Sequence, residues 1–335
     1  MTVPAPGGPD SLRMTELPDP HPAPGEVLIE VAAAGVNRAD INQRLGHYPS
    51  PPGSAEWPGL EVSGTIVEKA GDVTTWAVGQ RVCALLGGGG YASLAVAPAS
   101  QLLPVPAGVD LVDAAALPEA VATVWSNVFL DAELRAGETL LVHGGSGGIG
   151  TVAVQLARAF GCLVAVTAGG AQKLAACARL GADILIDYHE DDFVERMLEA
   201  SDGRGADVIL DPIGGDYLER DLRAIAPHGR IAVIGNQSGA KSTIDVRLLM
   251  GKWASIHGTT LRARPIAEKA AIIASVLANV WPLVEAGQVV PVIDQRLPMA
   301  DAARAHERME SSAHIGKLLL LPETRASAVR AGASP

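Results

Sequence analysis

The stretch that decides the fold is residues 139–157, which read TLLVHGGSGGIGTVAVQLA. An apolar run leads into a Gly-x-Gly-x-x-Gly turn at Gly145, Gly147 and Gly150, and an apolar-periodic helix pattern follows. In such a unit the first glycine permits a tight turn, the second lets the backbone approach a pyrophosphate, and the third lets the helix pack on the strand. Amide groups at the helix N-terminus then face the anion. The stretch therefore predicts a pyrophosphate site built by Gly145, Ser146, Gly147, Gly148, Ile149 and Gly150.

The same alternation of strand and helix continues through residues 120–257. Continuously apolar strand patterns recur at residues 163–167, 184–186, 208–210 and 231–234, with helical patterns between them. Strands buried on both faces lose their polar alternation, and repeated βαβ units of this length form doubly wound sheets. Residues 120–257 are therefore predicted to be a doubly wound Rossmann domain that binds a dinucleotide.

The flanking segments have a different pattern. Short strands separated by glycine- and proline-rich turns fill the first 118 residues, which indicates a β-rich, barrel-like domain. The final part of the chain shows a long helix at residues 266–285, a strand at residues 289–293, a further helix and a closing strand. The fold class is therefore α/β, and residues 322–335 are predicted to be a frayed tail.

The segment after the second strand of the sheet predicts which dinucleotide is bound. NAD enzymes carry an acid about 20 residues beyond the glycines, where it binds the ribose 2′-hydroxyl. Here that segment contains Gly169, Gly170 and Lys173 and no acid, so it favours the 2′-phosphate of NADPH. The alternative is that Lys173 is a solvated helix residue. A second glycine turn, at Gly235 and Asn236, is predicted to lie along the ribose and nicotinamide, since ligands bind beyond the carboxyl ends of the strands.

The composition excludes several function classes. The chain has 335 residues, 48% of them hydrophobic, and a formal net charge of −11 at pH 7. This composition supports a large buried core, and the charge argues against a nucleic-acid partner. No apolar run reaches the roughly 18 residues of a membrane helix. Cys83, Cys162 and Cys177 form neither a disulfide framework nor a zinc spacing, so a reducing, cytoplasmic location is expected.

Motifs along nearly the whole chain resemble one enzyme family. These motifs are GVNRAD at residues 35–40, GLEVSG at 59–64, VGQRV at 78–82, LLGGGGYA at 85–92, the glycine loop, and KL…LGAD…IDY at 173–188. They are similar to the zinc-free quinone oxidoreductase (zeta-crystallin-like) branch of the medium-chain dehydrogenase/reductase superfamily, and most similar to its tumour-suppressor-inducible subgroup.

The resemblance implies a domain arrangement and the absence of zinc. It joins residues 1–119 and 258–335 into a GroES-like β-barrel catalytic domain, beside the Rossmann domain at residues 120–257. Zinc-dependent relatives carry Cys where this chain has Asn37 and His where it has Leu60. Because zinc prefers thiolate and imidazole ligands, no metal site is expected.

The resemblance also implies site residues. It places Asn37, Asp40 and Tyr48 on the substrate side: Asn37 as a donor to the acceptor oxygen, Tyr48 as a hydrogen-bond partner or proton source. Structural alternatives remain open, with Asn37 capping a turn, Asp40 capping a helix and Tyr48 lining the site. Three further residues are implied to contact the cofactor, with a solvated lysine as the alternative for the last: Thr123, Tyr188 and Lys317.

The implied function is hydride transfer from NADPH to a quinone or another electron-poor acceptor. An enone, alkenal or 2-enoyl thioester reductase shares the fold, cofactor and hydride step and is the alternative enzyme. An NADPH-binding structural or RNA-binding protein is the non-enzyme alternative, which the net charge of −11 disfavours in its RNA-binding form. The resemblance also implies a homodimer, because the segment at residues 253–264 is strand-like and apolar where relatives pair their cofactor domains across a dimer. No membrane partner is expected.

Overall fold

A computed structural model describes residues 1–323 of the chain. The predicted tail from residue 324 onward lies outside the described residues. Contacts divide the described chain into two compact units. The first, called here the mixed-sheet unit, comprises Met1–Ala120, Arg262–Glu285 and the described residues from Pro291 on. The second, the parallel-sheet unit, comprises Val121–Leu261 and Ala286–Val290.

The strands are numbered along the chain. They are β1 (Glu26–Val36), β2 (Glu61–Lys69), β3 (Arg81–Leu85), β4 (Leu94–Pro98), β5 (Leu102–Pro104), β6 (Thr139–His143), β7 (Leu163–Ala168), β8 (Ile184–Asp187), β9 (Ala206–Asp211), β10 (Ile225–Val233), β11 (Ser255–Gly258), β12 (Ile293–Pro298) and β13 (Lys317–Leu321).

The helices are numbered in the same way. They are α1 (Arg38–Arg44), α2 (Pro118–Val124), α3 (Gly148–Ala159), α4 (Ala171–Leu180), α5 (Phe193–Ala200), α6 (Tyr217–Ala224), α7 (Val246–Gly251), α8 (Ile266–Asn279), α9 (Trp281–Glu285) and α10 (Ala302–Glu310). None of the helices in residues 1–323 combines the length and apolar character that a bilayer crossing requires.

The mixed-sheet unit is built on a seven-stranded sheet with the order β12-β13-β1-β2-β3-β5, in which β4 also pairs with β1. The long strand β1 is central because it pairs antiparallel with β13, β2 and β4. Its apolar side chains, among them Val27, Ile29 and Val31, lie in one buried cluster with residues of the neighbouring strands. Strand β1 thus pairs with β13, the last strand of the described chain.

The parallel-sheet unit has six strands in the order β11-β10-β9-β6-β7-β8, all paired in parallel. The order runs outward in both directions from the β6–β9 pair, which is the doubly wound arrangement and confirms that prediction. Strand β9 is buried at every position, as expected for a strand covered on both faces. The carboxyl ends of β6, β7, β9 and β10 therefore meet at one edge, where loops can share a ligand.

Two element predictions near the end of the chain were wrong. The single helix expected at residues 266–285 is divided into α8 and α9 at Val280. Pro282 lies in the first turn of α9, and a proline lacks the N–H that would continue the hydrogen-bond ladder. The strand expected at residues 289–293 begins only at Ile293, because Val290 pairs with the side chain of Gln155 through hydrogen bonds of 2.9 and 3.1 Å.

Candidate functional site

The phosphate loop lies between β6 and α3 in the parallel-sheet unit. Gly147 is the N-cap of α3 and provides no side-chain cap for the amides of the first turn. The loop is closed on itself by the hydrogen bond from Gly147 N to Gly144 O, at 3.0 Å, and tied to β7 by that from Gly145 N to Thr167 O, also at 3.0 Å. The predicted contacts Ser146, Gly148 and Ile149 lie in the same turn, where the first amides of α3 lack a side-chain cap.

The three signature glycines differ in the space that surrounds them. A Cβ on Gly145 would lie 2.7 Å from the Val166 side chain, and one on Gly150 would lie 2.4 Å from Gly144 O, so internal packing excludes both. A Cβ on Gly147 would meet nothing closer than Gly144 O at 3.4 Å, which is an ordinary contact. The protein itself leaves room over Gly147, and this space above uncapped amides fits the pyrophosphate of a dinucleotide.

A second loop joins β7 to α4 and contains Gly169 and Gly170. Tyr188, which follows β8, covers this loop, since a Cβ on Gly169 would lie 2.6 Å from its hydroxyl oxygen. Asp187 fixes the loop by accepting a 3.0 Å hydrogen bond from Gly170 N. Lys173 lies in the first turn of α4. Gly169, Gly170, Lys173 and Tyr188 are therefore neighbours on one edge of the sheet.

A third loop follows β10 and contains Gly235 and Asn236. It packs on the loop after β9, because a Cβ on Gly235 would lie 2.3 Å from Pro212 O. Thr123 lies in α2 and is buried, and its carbonyl accepts a 2.8 Å hydrogen bond from the Asn127 amide. Most of the predicted cofactor residues of the parallel-sheet unit thus lie on loops at the carboxyl ends of its strands, while Thr123 lies in α2 and Lys173 in the first turn of α4.

The mixed-sheet unit contains a buried group of Asn37, Glu61 and Lys317, called here the lysine cluster. Asn37 follows β1, Glu61 begins β2 and Lys317 begins β13, so the antiparallel order β13-β1-β2 brings all three to one edge of the sheet. Lys317 Nζ lies 2.6 Å from Glu61 Oε1 and donates to Asn37 Oδ1 at 2.6 Å. Asn37 Nδ2 donates to Glu61 Oε1 at 2.9 Å.

The lysine cluster does not fit a metal ion. Its positive charge is an ammonium group already in contact with the carboxylate and amide oxygens that a cation would need, and a second cation there would be repelled. Leu60, the other departure from the zinc-dependent pattern, is buried and offers no donor atom. Within residues 1–323 no group of three or more His, Cys, Asp or Glu side chains could hold a metal.

Asp40 organises the backbone around the lysine cluster. Its carboxylate accepts hydrogen bonds from Asn37 N at 2.8 Å, from Gly59 N at 2.9 Å and from the Tyr91 hydroxyl at 3.2 Å. The bond to Asn37 N caps α1, which is the structural role left open for this residue. Burial raises the pKa of Asp40 to about 6, although these hydrogen bonds oppose the shift.

Tyr48 is half-buried and contacts Arg262 through both its ring and its backbone carbonyl. The Arg262 guanidinium lies 5.2 Å from the centre of the Tyr48 ring and donates to Tyr48 O at 3.1 Å. It also donates to Gly87 O at 2.7 Å and to Gln43 Oε1 at 2.8 Å. The buried Arg262 therefore fixes the loop that carries Tyr48. The sequence motifs did not indicate this cation–π contact.

Glu119 is a further site residue that sequence reasoning missed. Its backbone N–H donates to Glu61 Oε2 at 2.9 Å, which places it against the lysine cluster. Burial and the nearby Glu61 carboxylate raise the pKa of Glu119 to about 8. A signal for it existed in the sequence, because Glu119 is the only charged residue in the apolar run from Ala114 to Val124.

A glycine phosphate loop in a doubly wound sheet, together with a second unit that contains a buried polar site, is typical of dinucleotide-dependent oxidoreductases. Comparison with known protein families agrees. The alcohol dehydrogenase GroES-like domain matches residues 23–107, and the zinc-binding dehydrogenase family matches residues 148–276.

Individual proteins match over nearly the full length. A quinone oxidoreductase of Rattus norvegicus is 34% identical, covering 94% of this chain and 95% of that protein. One of Pseudomonas aeruginosa is 32% identical, covering 94% of this chain and 97% of that protein. The crystal structure of an Escherichia coli quinone oxidoreductase complexed with NADPH has a TM-score of 0.86 at 30% identity, covering 95% of this chain and 98% of that one.

The chain belongs to the medium-chain dehydrogenase/reductase superfamily, in its zinc-free quinone oxidoreductase branch. The predicted fold class, a GroES-like domain with a Rossmann domain, is confirmed. The predictions of an NADPH-dependent quinone oxidoreductase type of enzyme and of NADPH as its cofactor are also confirmed.

The space over Gly147 allows a clean test of the phosphate loop. Because the protein leaves room for a side chain there, Gly147→Val is expected to fold like the wild type and to lose NADPH binding by about 100-fold or more, as the added methyl groups occupy the position of the pyrophosphate. NADPH fluorescence titration measures the loss, and circular dichroism checks the fold. Gly251→Ala, where a Cβ meets nothing within 4 Å, is the matched control. Unchanged NADPH binding by Gly147→Val would refute the assignment.

Proposed function

We propose that this protein transfers a hydride from NADPH to a quinone, with assistance from the lysine cluster. The main support for the proposal is the space over Gly147, above the uncapped amides of α3, because a dinucleotide pyrophosphate would fit there. The bound cofactor supplies the hydride. The residues of this chain bind it, orient the acceptor and control the charge that develops on the acceptor oxygen.

Asn37 is proposed to donate a hydrogen bond to the acceptor. One of its amide N–H groups is engaged by Glu61 at 2.9 Å. The other makes only a 3.4 Å contact with Gly35 O, which is long for a hydrogen bond and leaves this donor for an acceptor oxygen. The Lys317 ammonium on Asn37 Oδ1 polarises the amide and strengthens the donor.

The remaining predicted residues take supporting roles in this proposal. Tyr48, on the loop fixed by Arg262, hydrogen-bonds the acceptor, and Asp40 holds Asn37 in place through its backbone N–H. Tyr188, Gly169, Gly170 and Lys173 bind the adenosine end of NADPH, while Thr123, Gly235 and Asn236 contact its ribose and nicotinamide.

A panel of acceptors tests the function. With NADPH and the purified protein, ortho- and para-quinones are expected to be reduced faster than simple enones or crotonyl-CoA, as followed by the loss of NADPH absorbance. A higher kcat/KM for crotonyl-CoA than for every quinone would instead identify a 2-enoyl thioester reductase. Binding of NADPH without turnover of any acceptor would support a non-enzymatic role.

Cofactor preference tests the role of Lys173. Removing a charge-assisted contact with a phosphate costs roughly 1.5–3 kcal/mol, so Lys173→Ala should raise the KM for NADPH about 10–100-fold and leave that for NADH nearly unchanged. Lys241→Ala, an exposed lysine in the same unit, is the control. Equal effects on the two cofactors would contradict the 2′-phosphate assignment.

A homodimer is proposed through the edge of the parallel sheet. Strand β11 is the last strand in the sheet order and pairs only with β10 within the described chain. Close to it in sequence, Met250 and Trp253 are each 69% exposed and Val246 is 57% exposed. An unpaired strand edge flanked by exposed apolar side chains is a natural surface for association with a second copy.

The dimer is tested by mass. Light scattering of the wild type is expected to give about twice the chain mass of 34.5 kDa. The double substitution Met250→Glu, Trp253→Glu should shift the mass towards that of a single chain, because buried like charges would face each other across a two-fold interface. A wild-type protein with the mass of one chain would rule out the proposed association.

A cytoplasmic location is proposed from the cysteines. Cys83, Cys162 and Cys177 are free and buried, and the structure pairs none of them. Unpaired thiols persist in a reducing compartment.

A further inference from the structure

Three carboxyl groups lie in or next to the lysine cluster, and they differ in the hydrogen bonds that their oxygens accept. Asp40 accepts three hydrogen bonds. Glu61 accepts from Asn37 and Lys317 on Oε1 and from Glu119 N on Oε2. In contrast, the Oε2 atom of Glu119 is enclosed and has no hydrogen-bond partner within the described chain. An enclosed carboxyl oxygen without a partner requires an explanation.

The positively charged side chains near Glu119 contact other groups. Lys317 contacts Glu61 and Asn37. Arg262 donates to two carbonyls, the Gln43 amide oxygen and the Ser50 hydroxyl, and Lys269 Nζ lies 3.4 Å from Arg262 O. No cation in residues 1–323 forms an ion pair with Glu119, so an ionised Glu119 would be an uncompensated charge beside Glu61.

Glu119 therefore holds its proton at neutral pH. Burial is the main cause of its raised pKa of about 8, and the Glu61 and Asp40 carboxylates act in the same direction. Lys317, Arg262 and Lys269 oppose the shift without reversing it. Glu119 as a whole residue is half-buried.

Reduction of a quinone requires a proton as well as a hydride. Hydride transfer breaks the C–H bond of the nicotinamide and leaves the acceptor with an electron pair and a negative charge on oxygen, and one proton completes the hydroquinone. Two enclosed groups do not supply it easily. The Tyr91 hydroxyl contacts both Asp40 and His306, and burial raises its pKa well above the ordinary value. Asp40 has its oxygens occupied by hydrogen-bond donors.

We propose that Glu119 is the general acid of this reaction, giving its carboxyl proton to the acceptor anion. The carboxylate left behind stands beside Glu61 without a cation of its own, and this repulsion drives it to regain a proton from water after product leaves. The step consumes one NADPH, one acceptor and one solvent proton for each hydroquinone. This inference rests on the proposed hydride transfer and adds the source of the proton.

Two substitutions of Glu119 test the proposal. Glu119→Gln removes the proton but keeps the shape, and it should lower kcat with a quinone about 100-fold, within the usual range for a lost general acid. The wild-type kcat should fall as pH rises above about 8, when the acid loses its proton. Glu119→Gln should lack this alkaline fall, and Glu119→Asp should restore it with part of the rate. NADPH affinity should stay unchanged in both variants.

Controls separate the possible sources of the proton. Exposed Glu307→Gln should behave like the wild type. Tyr48→Phe should retain the alkaline fall, since Tyr48 orients the acceptor in this proposal. Loss of the fall in Tyr48→Phe but not in Glu119→Gln would assign the proton to the tyrosine and overturn the proposal.

A stability measurement reports on Glu119 without turnover. An acid whose pKa is raised on folding, here from 4.5 to about 8, contributes stability below its unfolded pKa and loses it as pH rises through the folded value. The wild-type Tm should therefore fall relative to that of Glu119→Gln between about pH 5 and about pH 9. Parallel Tm curves, or a Glu119→Gln enzyme with the wild-type rate and pH profile, would overturn the role of Glu119. A wild type that binds NADPH but reduces no acceptor would overturn the proposed function itself.

Discussion

The ion pair between Lys317 and Glu61 is the interaction on which the buried polar group of the mixed-sheet unit depends. Both side chains are buried, and they lie 2.6 Å apart. Removing one partner of such a pair leaves an uncompensated buried charge, at a cost of about 3–5 kcal/mol. Asn37 takes its orientation from both charges. Glu61 also accepts a hydrogen bond from the backbone N–H of Glu119, and its charge adds to burial in raising the pKa of Glu119.

The two units differ in the groups that they offer to a ligand. The parallel-sheet unit presents backbone: its loops depend on glycines that internal packing demands at Gly145 and Gly150, and on open space at Gly147. The mixed-sheet unit presents side chains, with charges that must balance inside a poorly solvated site. A dinucleotide phosphate is recognised by many amides at once, whereas an acceptor oxygen needs a few donors whose charge state is controlled.

This difference explains what could be predicted from the sequence. The phosphate loop and the parallel sheet were predictable because their determinants are local: glycine spacing and unbroken apolar strands. The lysine cluster was not, because Asn37 and Lys317 lie 280 positions apart and meet only through the strand order β13-β1-β2. The resemblance selected both residues without showing that they touch. Pro282 was a sequence signal for the break between α8 and α9, but the long apolar periodicity across residues 266–285 favoured a single helix.

The placement of Lys317 on β13 has a consequence for folding during synthesis. The parallel-sheet unit, Val121–Leu261 with Ala286–Val290, leaves the ribosome before β13 does. It can therefore begin to fold while Glu61 still lacks its cation. The mixed-sheet unit cannot complete its buried charge balance until β13 has been added beside β1. On a growing chain, the parallel-sheet unit is thus expected to mature first, and bound dinucleotide would stabilise it before the mixed-sheet unit is assembled.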